Sequence, residues 1–207
     1  SLLTWTNRDR AALGLRPLGF DSRLAAIAGE RAANLVAASS FSHQAAGGSL
    51  SAALDRAHVQ WYGWAENIGW WGGGATLATA SALYGAWRKS ADHWAHLMSP
   101  GLNYVGFGVA LRRSDVRLFA STVFTESRDH TAPRATVETA TRSGTTITFT
   151  WRSWDPVLQS HWAGLRDVDV WYRVDAGTWR LVRDNTTATS LRLTGRAAGH
   201  RYWLAVR

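Results

Sequence analysis

No cysteine occurs in the chain, and methionine occurs once, at Met98. The first absence excludes a disulfide framework, a thiol nucleophile and a zinc finger, although it does not fix the compartment. Lysine is nearly missing too: Lys89 is the only one, so the 23 cations are almost all arginine. With the abundant alanine, whose codons like those of arginine are GC-rich, this usage reads as the mark of a GC-rich bacterial genome. Prolines number four, and 46% hydrophobic against 18% charged residues is the balance of a folded chain rather than a disordered one. No apolar run approaches the roughly 20 residues that cross a bilayer. The opening Ser1-Leu2-Leu3-Thr4-Trp5 lacks the basic start and apolar core of a secretion signal, so the chain reads as mature or trimmed.

Acidic residues are in deficit. The formal net charge is +8, which invites a nucleic-acid reading only if the cations gather on one face or helix. They do not: Ser1 to Thr131 carries 12 cations and 9 anions, the remainder 11 and 6, with no block of one sign. A mildly basic, solvated surface follows, without a dedicated nucleic-acid site.

Across 207 residues the hydrophobic period changes once, which suggests two modest domains. From Leu2 to Ala38 apolar residues recur at three and four, as in Leu24, Ile27, Ala28, Arg31 and Leu35, the signature of helix. A second helix is expected from Thr76 to Trp87, with Leu77, Ala80, Leu83, Tyr84 and Trp87 on its inner stripe. "VGFGVALRRSDVRLFASTVF" reads as two strands around a turn at Arg113-Ser114-Asp115. Beyond Pro133 the period is two throughout, with Asp175-Ala176-Gly177 as a hairpin turn, which indicates a two-sheet sandwich. The expected division is 1–128, a linker at 129–136, and 137–207.

Chemistry-bearing residues concentrate in the first half. Thirteen tryptophans are a large number for this length, and "GWAENIGWWGGG" sets one carboxylate, Glu66, among three of them and a glycine run. The stretch reads as a rigid aromatic loop. Trp70 and Trp71 cannot both point inward on an extended chain, so one is expected at the surface, where an indole can stack on a sugar or hold a lipid chain. "GWWGGG" lacks the lysine and preceding strand of a phosphate cradle, and no Gly-x-Ser-x-Gly elbow occurs. Ser42 adjoins His43, but neighbours on an extended chain face opposite ways, so they do not make a nucleophile pair. His58 reads as a packed or surface histidine, and Glu126 as solvent-facing near the linker.

Four ordered stretches carry a resemblance: "LLTWTNRDRAALGLRPLGFDSRLAAIAGERAANL"; "SFSH", ending at His43; "WAENIGW", with Glu66; and "WRKSADHWAHLMSPGLNYVGFGVA", with His93. Together, over roughly Leu2 to Glu126, they resemble the bacterial branch of the CAP superfamily, named for cysteine-rich secretory proteins, antigen 5 and pathogenesis-related 1 proteins. The resemblance implies an α+β fold of the α-β-α sandwich type, a secreted or cell-envelope-associated protein, and a cleft holding His43, Glu66 and His93. Ser90 stands where many eukaryotic members have a second cleft glutamate. His96 stands where bacterial members often have asparagine, on the same helical face as His93. The second half, through "ITFTWRSWDP", "SLRLTGRAAGHRYWLAV" and Tyr202 at a corner-tyrosine position, resembles a fibronectin type III domain lacking its last strand.

Neutral imidazoles are available near pH 7 for a proton or a metal, and a desolvated glutamate between them can be a ligand, an orienter or a general base. His43, His93 and Glu66 would leave an open position on Zn2+ or another divalent metal, but no His-Glu-x-x-His or other local ligand spacing supports one. An evident nucleophile is also lacking. The favoured expectation is therefore an extracellular binding module, its ligand a cell-envelope component, glycan, lipid or protein. The alternative is a metal-assisted hydrolase of peptide or cell-envelope substrates that uses the same cleft.

Overall fold

A computed structural model describes residues 1–158 and 161–207. The chain divides into two compact units: Ser1–Asp129 with Leu158–Trp162, and His130–Val157 with Ala163–Arg207.

The first unit is a four-stranded sheet between two layers of helices. In chain order it runs α1 (Leu2–Ala12), β1 (Gly19–Phe20), α2 (Ser22–Ala37), α3 (Leu50–Arg56), β2 (Gly63–Gly72), α4 (Leu77–Lys89), α5 (Ala91–Leu97), β3 (Tyr104–Arg112) and β4 (Arg117–Glu126). The strand order is β1-β3-β4-β2. Only the short β1 pairs in parallel; β4 lies antiparallel to both β3 and β2. Side chains alternate across the sheet as the strand period requires. Tyr104 and Val123 meet Leu24, Ile27 and Ala28 of α2 and Leu54 of α3 on one face. Val105, Ala120 and Phe124 meet Leu83, Tyr84 and Trp87 of α4 and Leu97 of α5 on the other.

The helices start where their side chains can cap them: Asp21, Ser49 and Thr76 accept from backbone N–H groups one or two positions inside α2, α3 and α4. The expected stripe on α2 is buried as read, Arg31 included. On α4, Leu83, Tyr84 and Trp87 are buried but Leu77, in the first turn, is 70% exposed. α2 lies unusually close to β3, because a β-carbon on Gly106 would overlap the backbone of Leu24 and Ala25, and one on Gly108 that of Ala28 and Gly29. Arg10 is fully buried in α1, where its guanidinium donates to the carbonyls of Arg16, Leu97 and Ser99. It thereby ties down the end of α5, and burial lowers its pKa to about 10.

"GWAENIGWWG" is a ten-residue edge strand, not a loop, and pairs with β4 along its whole length. Glu126 ends β4 half-buried rather than facing solvent, accepting from His161 Nε2 at 3.0 Å, and Tyr62 stacks on that imidazole at 4.2 Å. Leu158 joins the core beside Tyr104, so Leu158 and His161 belong to the first unit although their stretch was expected to lie wholly in the second half.

The second unit contains β5 (Arg134–Ser143), β6 (Thr146–Trp154), β7 (Val168–Val174), β8 (Arg180–Thr186), β9 (Ser190–Leu193) and β10 (Tyr202–Val206). They form two antiparallel sheets, β5-β6-β9 and β10-β7-β8. Ile147, Phe149, Trp151, Val168, Val170, Leu191 and Leu193 fill the space between. β5 begins at Arg134, inside the stretch expected to be linker, because strand pairing with Trp154 starts there.

Candidate functional site

Along β2, Trp64, Glu66, Ile68 and Trp70 face α2, whereas Ala65, Asn67 and Gly69 face α4 and α5. Glu66 is thus delivered to the α2 face by strand geometry alone. Arg31 meets it there, three residues beyond Ala28, where α2 presses on Gly108. The glycines let the helix sit close to the sheet, within reach of Glu66 for the guanidinium. Arg31 Nε donates to Glu66 Oε1 at 2.6 Å and Nη2 to Oε2 at 2.7 Å. Ser121 of β4 adds Oγ–H to Oε1 at 2.7 Å, and His43 Nδ1 lies 2.8 Å from Oε2.

A carboxylate can only accept, so the His43 contact is an Nδ1–H donation, which in the neutral ring leaves Nε2 as the acceptor nitrogen. Four donors fill both oxygens. Burial would raise the Glu66 carboxyl, but the hydrogen bonds from Arg31, His43 and Ser121 and the Arg31 charge outweigh it and hold the pKa below the ordinary value. The acid is 4% exposed. It has neither the free lone pair nor the raised pKa that suits a general base.

Arg31 also holds the segment that carries His43. Nη2 donates to the His43 carbonyl at 3.0 Å and Nη1 to that of Gly48 at 3.2 Å, while Asn34 Nδ2 donates to Ala46 at 3.1 Å. Ser42 closes a turn by accepting from Ala45 N–H and has no part in a nucleophile pair. Neither Arg31, Ser121 nor Asn67 was singled out from the sequence as functional. The signal for Arg31 was present, an arginine on the inner stripe of an amphipathic helix; Ser121 carried none.

The second cluster hangs from the other face of β2. Asn67, fully buried, donates Nδ2–H to the His93 carbonyl at 3.0 Å and accepts through Oδ1 from His96 Nδ1 at 2.8 Å. His93 Nδ1 lies 2.8 Å from the Ser90 hydroxyl, which caps α5 in position yet gives its oxygen to this ring instead of to a backbone N–H. Burial, with the nearby His96 and His43, lowers the pKa of His93 against a smaller opposing pull from Asp92. Burial and His43 likewise lower that of His96, opposed by Asp92 and by a hydrogen bond to the Glu66 backbone.

His43, Glu66 and His96 line one cleft of about 380 Å³ with Arg31, Ser49 and Trp64. The aromatic wall is Trp64, not Trp70 or Trp71. Those two are both exposed, at 41% and 44%, and the Arg117 guanidinium covers the Trp70 ring at 4.2 Å. His93 and Ser90 are outside the lining residues and support the cleft from beside His96. His58 lies elsewhere: with φ at 52° it terminates α3, and its carbonyl accepts from Arg23. Among the described residues no three His, Cys, Asp or Glu side chains are grouped so as to hold a metal ion. With every Glu66 lone pair engaged, the arrangement does not fit a divalent ion bound by His43, His93 and Glu66.

The comparisons with known proteins agree with this architecture. No curated protein matches the chain. Among solved structures, an extracellular protein containing an SCP domain from Bacillus anthracis is 26% identical, with a TM-score of 0.51, over 61% of this chain and 39% of its own. A cysteine-rich secretory protein from Staphylococcus aureus is 28% identical over 61% of this chain and 37% of its own, at a TM-score of 0.47. An outer surface protein from Borrelia burgdorferi, 19% identical, shares the fold at a TM-score of 0.52 over 61% of this chain and 90% of its own. The chain therefore spans well under half the length of the first two. The family model that matches residues 3–125 is that of the cysteine-rich secretory proteins, and the present chain, for all its lack of cysteine, belongs to that CAP family.

Proposed function

We propose that the protein acts outside the cell as a binding module, its ligand held in the cleft between His43, His96 and Trp64. The observation that carries this reading is the saturation of Glu66 by Arg31, Ser121 and His43. A buried acid so engaged fixes an imidazole and a loop but has no capacity left to activate water. What the cleft then offers is recognition: ring nitrogens in fixed tautomers beside an exposed indole, fit for a polar ligand with one apolar face. The extracellular setting is supported by the Bacillus anthracis and Borrelia burgdorferi proteins, described as extracellular and outer surface proteins. No helix among the described residues is long and apolar enough to cross a membrane. The second unit we read as fibronectin type III-like, serving as spacer or adhesion element. Support comes from its sheets β5-β6-β9 and β10-β7-β8 and from Tyr202, whose hydroxyl donates to the Ala197 carbonyl at 3.4 Å as a corner tyrosine does.

The alternative, hydrolysis of peptide or cell-envelope substrates, draws its support from the 2.8 Å His43–Glu66 pair, which orients an imidazole as a general base is oriented. The test is co-sedimentation with insoluble bacterial cell wall, run alongside turnover assays on peptide and glycan panels with and without zinc. The binding reading expects retention that His43→Ala and Trp64→Ala abolish, and no turnover. Turnover lost in His43→Ala would overturn it.

A further inference from the structure

The outer face of the β10-β7-β8 sheet carries aromatic surface that neither the sandwich core nor the cleft uses. Val168 and Val170 of β7, and Tyr202, Leu204 and Val206 of β10, turn into the core. The intervening residues turn out. Register places Trp203 beside Arg173, Ala205 beside Trp171, and Trp171 beside Leu181. Trp179, just ahead of β8, completes the face. Trp179, Leu181 and Trp203 are 38%, 43% and 45% exposed. Arg173 bridges two of the rings, its guanidinium carbon 4.9 Å from the centroid of Trp179 and 5.3 Å from that of Trp203. Its buried Nε has no hydrogen-bond partner. Trp171, Trp179, Ala205 and Arg207 line a slot of about 120 Å³.

We propose that this slot binds an acidic saccharide, one sugar ring entering between Trp171 and Trp179 with its acid group on Arg207 or Arg173. Shape, polarity and charge each contribute. Two indoles and the methyl of Ala205 supply the apolar lining, and about 120 Å³ admits no more than part of one ring at a time. A pyranose fits that description: its axial C–H bonds make an apolar face for the negative face of an indole, and its hydroxyls sit at the rim where guanidinium donors reach. The charge is one-sided. Neither Arg173 nor Arg207 is in an ion pair among the described residues, and the carboxylate on the same strand, Asp169, accepts through Oδ1 from Asn185 N–H. A neutral sugar would leave those cations idle, and a proline-rich peptide, which also favours indole slots, would bring no anion to them. The second unit would then do more than hold the first at a distance.

The experiment uses the whole chain, isotopically labelled, and follows indole N–H signals while oligogalacturonide is added. Shifts confined to Trp171, Trp179 and Trp203 are expected. Trp179→Ala should weaken binding about tenfold, the scale of one lost aromatic contact. Arg207→Gln should remove the preference for oligogalacturonide over a neutral cello-oligosaccharide, and Gly85→Ala, in a helix of the first unit away from both sites, should leave the shifts of these indoles unchanged. Should Trp179→Ala melt early, oligogalacturonide protection of wild-type tryptophan fluorescence from acrylamide, retained in Trp179→Phe, supports the same conclusion. The proposal is overturned if the indoles of this face do not shift at millimolar saccharide, if the shifts fall on first-unit tryptophans, or if a proline-rich peptide binds more tightly.

Discussion

Arg31 and Glu66, 35 positions apart, form a bidentate pair, Nε to Oε1 at 2.6 Å and Nη2 to Oε2 at 2.7 Å, with both side chains 3% exposed. Burying two charges is costly, and removing one partner alone strands the other. Arg31→Met should therefore destabilise the first unit by about 3–5 kcal/mol, read by urea unfolding at neutral pH. Glu66→Gln should also lower stability rather than leave the fold intact, since it strands the guanidinium. Joint replacement by Met and Leu should recover much of the loss. A wild-type-like midpoint in Arg31→Met would show that the pair does not hold the helix to the sheet.

Acid should act in two steps, with the sign fixed by the direction of each shift. His93 and His96 have lowered pKa values in the folded chain. They contribute stability that is fully present above their ordinary 6.5 and is lost as pH falls through their folded values. Glu66 is held below 4.5, so its contribution is present above 4.5 and is lost below that, as its folded value is passed. Urea midpoints measured from pH 8 to pH 3 should fall first below 6.5 and again below 4.5. The second step should shrink in the chain carrying Arg31→Met with Glu66→Leu. Exposed carboxylates such as Asp115 and Asp175 titrate in that range as well, so the difference between variant and wild type is the diagnostic quantity.

The close approach of α2 to β3 makes a steric prediction. Gly106→Ala and Gly108→Ala would drive a methyl into helix backbone, which cannot rotate away as a side chain can. Each should cost about 3 kcal/mol or more, seen as a lowered melting temperature. Gly85→Ala in α4 meets nothing within 4 Å and should be neutral or stabilising by up to about 1 kcal/mol. Because Arg31 reaches Glu66 only while α2 sits low, the β3 variants should also release His43, detectable as a change in its ring signals.

Helix periods announced α2 and α4, whose inner stripes alone are buried, and alternation announced β6 and β9, which bury every second residue; β3 and β4 were legible through the turn at Arg113-Ser114-Asp115 between them, although β4 is buried along almost its whole length. β2 escaped recognition for a physical reason. Ala65, Glu66, Asn67 and Ile68 are all buried, the strand being covered on both sides by helices, so no alternation was left to read. The same double burial explains why Glu66 and Asn67, adjacent in sequence, serve two clusters on opposite faces. Long-range partners such as Ser121 and Arg10, and the place of Leu158 and His161 in the first unit, depend on tertiary packing that no local pattern encodes. Of Trp70 and Trp71 one was expected at the surface, whereas both are exposed and the indole that lines the cleft is Trp64.

The Asn67–His96 hydrogen bond sets the last prediction. Asn67 Nδ2 is committed to the His93 carbonyl, which leaves Oδ1 to accept and requires His96 to carry its proton on Nδ1. In the wild type, NMR titration of the ring C–H signals should place both His93 and His96 below 6.5. His43→Ala removes an imidazole whose protonated form disfavours protonation of both, so both midpoints should rise. Asn67→Asp should raise His96 more than His93, because the new carboxylate faces the His96 N–H directly. Midpoints at or above 6.5 in the wild type, or no response to His43→Ala, would mean that the three imidazoles do not share one electrostatic neighbourhood. The cleft would then lose its claim to be a single site.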